Sequence, residues 1–132
     1  MPRENIKKIL IVDDDKDICH FTKSYFERKG YAVFTAGSTL EALRILTEED
    51  PQILLLDNLI SSRKGADLLA EIRKFNSRVC VIMISTEELD SGTRSQIADL
   101  NVLEFMEKPV SFSKLEKAIN NAWNKYVSRL GG

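Results

Sequence analysis

The sequence predicts an α/β domain in which a five-stranded parallel sheet is covered by helices on both faces. Four short apolar runs alternate along the chain with segments of helical periodicity, and a fifth, more mixed run suits an edge strand. Three of the apolar runs show no polar–apolar alternation, which is typical of parallel strands buried on both sides. Right-handed crossovers then give a doubly wound sheet, for which we expect the strand order 2-1-3-4-5. The predicted strands are, in chain order, 9–12, 31–36, 53–56, 79–84 and 102–106.

The segments after these strands have helical patterns. The first ends before Gly30, which suits a C-terminal cap, and the second begins with a capping box formed by Ser38 and Glu41 and ends before Pro51. The segment 87–100 is the weakest helix because it has few apolar anchors. The apolar stripes of the first, third and last helices are Ile18, Phe21, Tyr25 and Phe26; Leu68, Leu69, Ile72 and Phe75; and Leu115, Ala118, Ile119, Ala122, Trp123, Tyr126 and Leu130.

Length and composition suit one domain over residues 1–132, with its core at about 7–130 and no effector domain in this chain. The 19 basic and 20 acidic residues give a net charge of −1, so we expect no direct binding to nucleic acid or membranes. No apolar run approaches the about 20 residues that a bilayer-spanning helix needs. Cys19 and Cys80 have no metal-site spacing, and we expect reduced thiols in a cytoplasmic protein.

Polar side chains follow four of the predicted strands. Asp13 and Asp14 follow the first strand, Asp57 the third, Ser85 the fourth and Lys108 the fifth. Ligands of doubly wound sheets bind beyond the carboxyl ends of the strands. We therefore expect these five side chains to form one site.

The residue types at this edge favour phosphoryl-transfer chemistry. Carboxylates that lie together repel one another, and a divalent cation with oxygen ligands relieves the repulsion. We expect Mg²⁺ or Mn²⁺, which also stabilises phosphoryl oxygens during transfer. Lys108 offers a positive charge to phosphate, Ser85 offers a hydroxyl, and a carboxylate nucleophile can form an acyl phosphate.

These stretches resemble the response-regulator receiver family of two-component and phosphorelay signalling, which includes single-domain, chemotaxis-type members. The resemblance runs from Lys8 to about Leu130 and is carried by segments 9–14, 54–57, 82–85 and 105–109, with Gly65 eight residues after the acid that ends the second of these. It implies a flavodoxin-like (βα)5 fold. It also implies a regulatory domain that is not an enzyme and assists only its own phosphorylation and dephosphorylation.

The resemblance implies a role for each residue of the site. Asp57 would accept a phosphoryl group from a histidine kinase or a histidine phosphotransfer protein. Asp13, Asp14 and Asp57 would hold the metal together with the backbone carbonyl of Leu59. Lys108 would pair first with Asp57 and then with the phosphoryl oxygens.

The resemblance also implies a switch. Ser85 would move toward the phosphoryl group, Phe105 would then be free to rotate inward, and the Lys108–Pro109 peptide bond would be cis. The fourth helix, the fifth strand and the last helix would form the output surface. This surface would bind a downstream protein target, an effector domain or a second copy of the chain.

Three features depart from the family pattern. Ile60 and Ser61 occupy positions where the family commonly has Met-Pro, so we expect the loop 58–64 to be more mobile or shaped for a different partner. Thr86 replaces a smaller residue, and its branched side chain could restrict access to Asp57. Phe105 lacks the hydroxyl that a tyrosine would offer, so any signal from burial of its ring would be one of packing. Asn101 stands where the family often has glycine, which is compatible because asparagine tolerates the left-handed conformation.

Other functions fit parts of the sequence. A haloacid-dehalogenase-like phosphatase would use Asp13 as the nucleophile and Asp15 as the acid/base, but Asp57 would then have no role. That family also needs further acids after the lysine, and only Glu116 follows Lys108. A receiver-like interaction module that is never phosphorylated is favoured by the atypical loop and opposed by the complete set of site residues. Flavin or nucleotide binding is suggested by fold class alone.

Overall fold

The computed structural model describes residues 6–131 as alternating strands and helices with one short hairpin. The side chain of Leu130, the last position of the predicted apolar stripe, lies outside the described part. The elements are β1 (Lys8–Val12), α1 (Lys16–Arg28), β2 (Ala32–Ala36), α2 (Thr39–Glu49), β3 (Ile53–Asp57), β4 (Leu59–Ile60), β5 (Arg63–Lys64), α3 (Gly65–Arg73), β6 (Cys80–Ser85), α4 (Ser91–Ala98), β7 (Val102–Glu107) and α5 (Phe112–Gly131).

Five strands form one parallel sheet in the order β2-β1-β3-β6-β7. The predicted order is confirmed, because β4 and β5 belong to a separate antiparallel hairpin and the sheet strands otherwise follow as 2-1-3-4-5. The mixed strand β2 lies at an edge, as its composition indicated. Within residues 6–131, no helix combines the length and the apolar character required to cross a membrane.

The sheet is buried on both faces, which explains its uninterrupted apolar strands. Leu10 and Val12 of β1 point into one apolar cluster with α2 and α3, whereas Ile9 and Ile11 point into another with α1 and α5. Strand β3 divides its side chains in the same way. The two clusters fix the sheet between the helical layers and thereby fix the position of the strand ends.

Local signals for the ends of helices have the expected form, with one difference. The hydroxyl of Ser38 accepts a hydrogen bond from the Glu41 amide at 3.2 Å, but the Glu41 carboxylate accepts from Gly37 rather than from Ser38. Gly30 follows α1 with a φ of 96°, and Asn101 adopts a φ of 55°. Both values lie in the left-handed region that glycine and asparagine tolerate.

Two helical stripes differ from the prediction. In α1 the buried positions are Cys19, Thr22 and Phe26, whereas Phe21 is 60% exposed. The helix packs against the sheet through the i, i+3, i+7 row that begins at residue 19, which leaves Phe21 exposed to solvent. Phe75 is exposed because α3 ends at Arg73, so the helical period no longer applies there.

Helix α4 is shorter than predicted, since it spans Ser91–Ala98 within the predicted helical segment 87–100.

Candidate functional site

The carboxyl ends of β1 and β3 bring three acidic side chains together. These strands are neighbours in parallel register, so Asp13 and Asp14 lie beside Asp57. Each of the three offers a carboxylate oxygen, and these oxygens all lie within 4.8 Å of one another. Asp13 is buried, Asp57 is partly buried and Asp14 is exposed. The sheet therefore gathers the predicted acids into one cluster that opens to solvent on the Asp14 side.

Lys108 reaches this cluster from the end of β7. Its Nζ donates to Asp13 Oδ2 at 2.7 Å and to Asp57 Oδ2 at 3.1 Å. Its backbone amide donates to the Ser85 carbonyl at 2.7 Å, and the Lys108–Pro109 peptide bond is cis. Burial alone would lower the pKa of Lys108, but the hydrogen bonds and charges of Asp13 and Asp57 outweigh it and raise that pKa. The ammonium group is thus charged at neutral pH and is shared by two carboxylates.

The cluster carries more negative charge than Lys108 neutralises. Burial, and then the charge of Asp13, raise the pKa of Asp57 above its ordinary value. Hydrogen bonds from Leu59 and Lys108 act in the opposite direction without cancelling the rise. Three carboxylates beside a single ammonium group form an oxygen-rich donor set that suits a hard divalent cation. The residues present therefore fit the metal that the sequence predicts.

The backbone of Leu59 faces the cluster. Gly65 N–H donates to the Asn58 carbonyl, so the next pair in the hairpin ladder, Leu59 with Lys64, is a non-hydrogen-bonded pair. The N–H and C=O groups of Leu59 thus point out of the hairpin on one side. The N–H donates to Asp57 Oδ1 at 3.3 Å. The carbonyl lies on that same side, as a metal ligand from this residue would require.

The loop that was expected to be mobile or reshaped forms the β4–β5 hairpin. Ile60 is fully buried in the α2–α3 cluster and anchors the hairpin to the core. The turn consists of Ser61 and Ser62, with φ values of 48° and 70°. Two positive φ values are those of a type I′ turn, which suits a two-residue hairpin. Ser61 N–H donates to Asp14 Oδ2 at 2.9 Å, so the tip of the hairpin is bonded to the acidic cluster.

The predicted switch residues Ser85 and Phe105 make no hydrogen bond to the acidic cluster. The hydroxyl of Ser85 donates to the Glu87 carbonyl at 2.8 Å and accepts from the Glu87 amide at 3.2 Å. Phe105 is partly buried and packs against the apolar core cluster on the α2–α3 face of the sheet. Thr86 is exposed and lines a cavity of about 550 Å³ that also contacts Asp57. Ser85 would have to rotate away from Glu87 to reach a group bound to Asp57.

Sequence reasoning assigned no structural role to two residues that support the site, Gly65 and Cys19. A Cβ atom at position 65 would overlap the Asp57 carbonyl oxygen, so only glycine lets α3 start this close to β3. The buried thiol of Cys19 donates to the Asp13 carbonyl at 3.3 Å. Burial, followed by the charges of Asp13 and Asp15, raises the pKa of Cys19 to about 11. The i+8 spacing of Gly65 from Asp57 was visible, but its steric reason needed the backbone geometry.

Asp15 does not join the acidic cluster. Its carboxylate accepts from the Asp17 amide at 3.0 Å and from the Ile18 amide at 3.1 Å, which caps α1. A phosphatase that used Asp15 as its acid/base would need this carboxylate beside the reacting group. The geometry opposes that alternative.

Comparison with known proteins identifies the family of this chain. Residues 9–120 match the response regulator receiver domain model. The chain is 32% identical over 114 residues to sporulation initiation phosphotransferase F of Bacillus subtilis, covering 86% of this chain and 90% of that protein. It is 31% identical to the response regulator SaeR of Staphylococcus aureus, over 86% of this chain and 49% of SaeR. It therefore spans about half the length of that relative.

Solved structures give the same result. A CheY-like response regulator receiver domain protein from Methanospirillum hungatei superposes with a TM-score of 0.88 at 26% identity, covering 95% of this chain and 99% of the other. A receiver domain protein from Clostridium thermocellum is 33% identical, with a TM-score of 0.81 and coverage of 91% and 96%.

Proposed function

The chain belongs to the response regulator receiver domain family, and we propose that phosphorylation of Asp57 switches it between two states. One observation carries this proposal. Lys108 bonds both Asp13 and Asp57 within a cluster of three carboxylates, so a nucleophilic carboxylate already lies beside the cation that would receive phosphoryl charge. The domain is regulatory, and we propose that it has no substrate turnover beyond its own phosphorylation and dephosphorylation.

The proposed donor is a phosphohistidine of a histidine kinase or phosphotransfer protein in the cytoplasm. A carboxylate oxygen of Asp57 forms a bond to phosphorus while the phosphorus–nitrogen bond to imidazole breaks, and the leaving imidazole takes a proton from solvent. Lys108 can exchange its bond to Asp57 for one to a phosphoryl oxygen and thereby balance the added charge. Mg²⁺ held by Asp13, Asp14, Asp57 and the Leu59 carbonyl would neutralise phosphoryl oxygens when bound.

The proposed switch begins at Ser85. The phosphoryl group adds about two negative charges at one point, and a hydroxyl that now bonds only its own loop can turn toward it. That rotation breaks both bonds between Ser85 and Glu87 and frees the segment before α4. Helix α4 is suited to movement because only Thr93 is buried along its length. Phe105 packs against the same apolar cluster as Ile97 of this helix and would then be free to rotate inward.

The proposed output surface consists of α4, β7 and α5. We propose that the described residues work as one receiver unit and that this surface binds a downstream protein, an effector domain or a second copy of the chain. Its partly buried apolar side chains on β7 could be covered by such a partner. No nucleic acid or membrane is proposed as a direct partner.

Phosphorylation by a small phosphodonor tests the proposal directly. The protein is incubated with phosphoramidate and Mg²⁺, and intact mass is measured with Asp57→Asn alongside. We expect the wild type to gain one phosphoryl group and Asp57→Asn to gain none. Asp99→Asn removes an exposed acid at the end of α4 and is the matched control, expected to behave as the wild type. Equal labelling of Asp57→Asn would show that another residue is the acceptor.

Beryllofluoride with Mg²⁺ tests the switch itself, because it mimics a phosphoryl group without covalent transfer. We expect amide resonances of Ser85, Glu87 and Phe105 to shift in the wild type. A response confined to the acidic cluster would leave phosphorylation possible but would contradict the proposed movement. The dependence of molecular mass on concentration, with and without beryllofluoride, tests the homodimer; an unchanged monomer excludes it.

A further inference from the structure

The β4–β5 hairpin contacts the acidic cluster at two points. Leu59 N–H donates to Asp57 Oδ1, and Ser61 N–H donates to Asp14 Oδ2 at 2.9 Å. Asp57 is also held by Lys108, whereas the exposed Asp14 carboxylate lies on the solvent side. Among the hydrogen bonds described for residues 6–131, the one from Ser61 is the bond that restrains this carboxylate. The orientation of Asp14 therefore depends on the tip of the hairpin.

We propose that the main-chain amide of Ser61 is a positioning group for Asp14 and sets the affinity of the site for a divalent cation. The inference rests on the proposed function, in which Asp14 is a metal ligand. An exposed aspartate samples several rotamers, and a metal must select one of them on binding. A charge-assisted bond to one carboxylate oxygen selects the rotamer beforehand and leaves the other oxygen available. Hydrogen-bond partners of metal ligands commonly act in this way.

The geometry of the turn links the Ser61 amide to the rest of the site. Ser61 and Ser62 both have positive φ values, which are uncommon for residues other than glycine and persist only where surrounding contacts hold them. Two contacts do so here, namely the fully buried Ile60 and the bond to Asp14. The hairpin thus holds Asp14, and Asp14 in turn holds the hairpin. A cation that fixes Asp14 would also stabilise the turn, by the reciprocity of coupled equilibria.

The same hairpin positions a second proposed ligand. The Leu59 carbonyl points out of the ladder on the side on which the Leu59 amide bonds Asp57. Two ligands from different parts of the chain, Asp14 and the Leu59 carbonyl, therefore depend on one short structural unit. A change at the tip is expected to act on metal binding although no side chain at the tip is itself a ligand.

A pair of proline substitutions separates the amide from the shape of the turn. Proline is incompatible with positive φ at either turn position, but Ser61→Pro also removes the N–H that bonds Asp14, whereas Ser62→Pro keeps it. Ser61→Ala retains the amide and removes only the hydroxyl. Mg²⁺ affinity is measured for each by titration followed through backbone amide resonances. We expect Ser61→Pro to weaken binding about 10- to 100-fold. Ser62→Pro disturbs the turn but keeps the amide, so it should weaken binding several-fold less than Ser61→Pro, and Ser61→Ala should change it by less than about threefold.

Amide hydrogen exchange gives a readout without metal and covers the case in which Ser61→Pro fails to fold. In metal-free wild type we expect the Ser61 amide to exchange slowly, and in Asp14→Ala we expect it to exchange at least about tenfold faster, because its acceptor is gone. The Asn58 amide lies outside the hairpin and donates to the Ile84 carbonyl at 3.0 Å, so it is the internal control and should change little.

The outcomes are distinguishable. Wild-type affinity in Ser61→Pro overturns the inference and leaves the metal site intact. Equal losses in Ser61→Pro and Ser62→Pro assign the effect to the shape of the turn and overturn the role of the amide. Unaltered Ser61 exchange in Asp14→Ala also overturns it. Failure of the wild type to bind Mg²⁺ at all overturns the metal site of the proposed function.

Discussion

Arg73 ties the end of α4 to α3 and β6, and its removal should measurably destabilise the fold. The guanidinium of Arg73 donates to four backbone carbonyls: to Leu100 and Val79 at 2.8 Å each, to Asn101 at 3.1 Å and to Asn76 at 3.3 Å. Hydrogen bonds from a charged donor contribute about 1.5–3 kcal/mol each. The three short bonds would give about 4.5 kcal/mol at the low end of that range. Because the site is half-exposed, water can bond some of these carbonyls when the guanidinium is removed. We therefore expect Arg73→Ala to lower the free energy of unfolding by about 3 kcal/mol.

Urea unfolding followed by the fluorescence of Trp123 measures this cost. Trp123 is the single tryptophan and packs against the α1–α5 cluster. Arg73→Lys keeps the charge but not the planar fork, and we expect it to lose about half as much stability. Arg44→Ala is the matched control, because it removes only an exposed i, i+4 pair with Glu48 and should cost about 0.5 kcal/mol or less.

Amide hydrogen exchange locates the effect. Because two of the four bonds go to residues between α4 and β7, Arg73→Ala should reduce protection in segment 99–104 more than in β1 or β3. A free energy of unfolding within about 0.5 kcal/mol of the wild type would refute the reasoning, since it would mean that water satisfies these carbonyls equally well.

Three further predictions concern the surroundings of the site. Gly65→Ala forces a Cβ atom into the backbone that carries the acceptor, so it should cost about 1–3 kcal/mol in urea unfolding and reduce labelling by phosphoramidate. Ile60→Ala should cost about 3 kcal/mol because Ile60 is fully buried, whereas Leu59→Ala, at a side chain 58% exposed, should cost about 0.5 kcal/mol or less. Burial raises the pKa of both Cys19 and Cys80, so both stay protonated at pH 8. Iodoacetamide should then modify neither in the native protein and both in urea; rapid native labelling would contradict the buried placement.

The site was predictable because its residues are adjacent to strand ends. A parallel sheet with two buried faces allows few strand orders. The apolar runs before Asp13, Asp57 and Lys108 were therefore sufficient to predict that these three side chains lie at one edge of the sheet. Their contacts with one another follow from the sheet rather than from local sequence. The position of Ser85 at the end of β6 was predictable for the same reason, but its bonds to Glu87 were not, because a hydroxyl's rotamer depends on its immediate neighbours.

The buried face of α1 was harder to predict because the helix has apolar residues on more than one side. Ile18, Phe21, Tyr25 and Phe26 satisfy a helical period, yet among them only Phe26 is buried. The direction from which the sheet approaches selects the row, and that direction is a property of the assembled fold. Here it selects a row that includes Cys19, whose small thiol can approach the Asp13 carbonyl.

The hairpin escaped prediction because its turn depends on tertiary contacts. Two-residue hairpin turns are usually signalled by Asn-Gly or a similar pair, which tolerates positive φ, and Ser61-Ser62 gives no such signal. Serine at these φ values is disfavoured locally, so the burial of Ile60 and the bond to Asp14 must compensate. The acidic residue that holds the turn lies 47 positions earlier in the chain. A turn stabilised in this way cannot be inferred from its own four residues, and for the same reason its conformation should respond to whatever Asp14 binds.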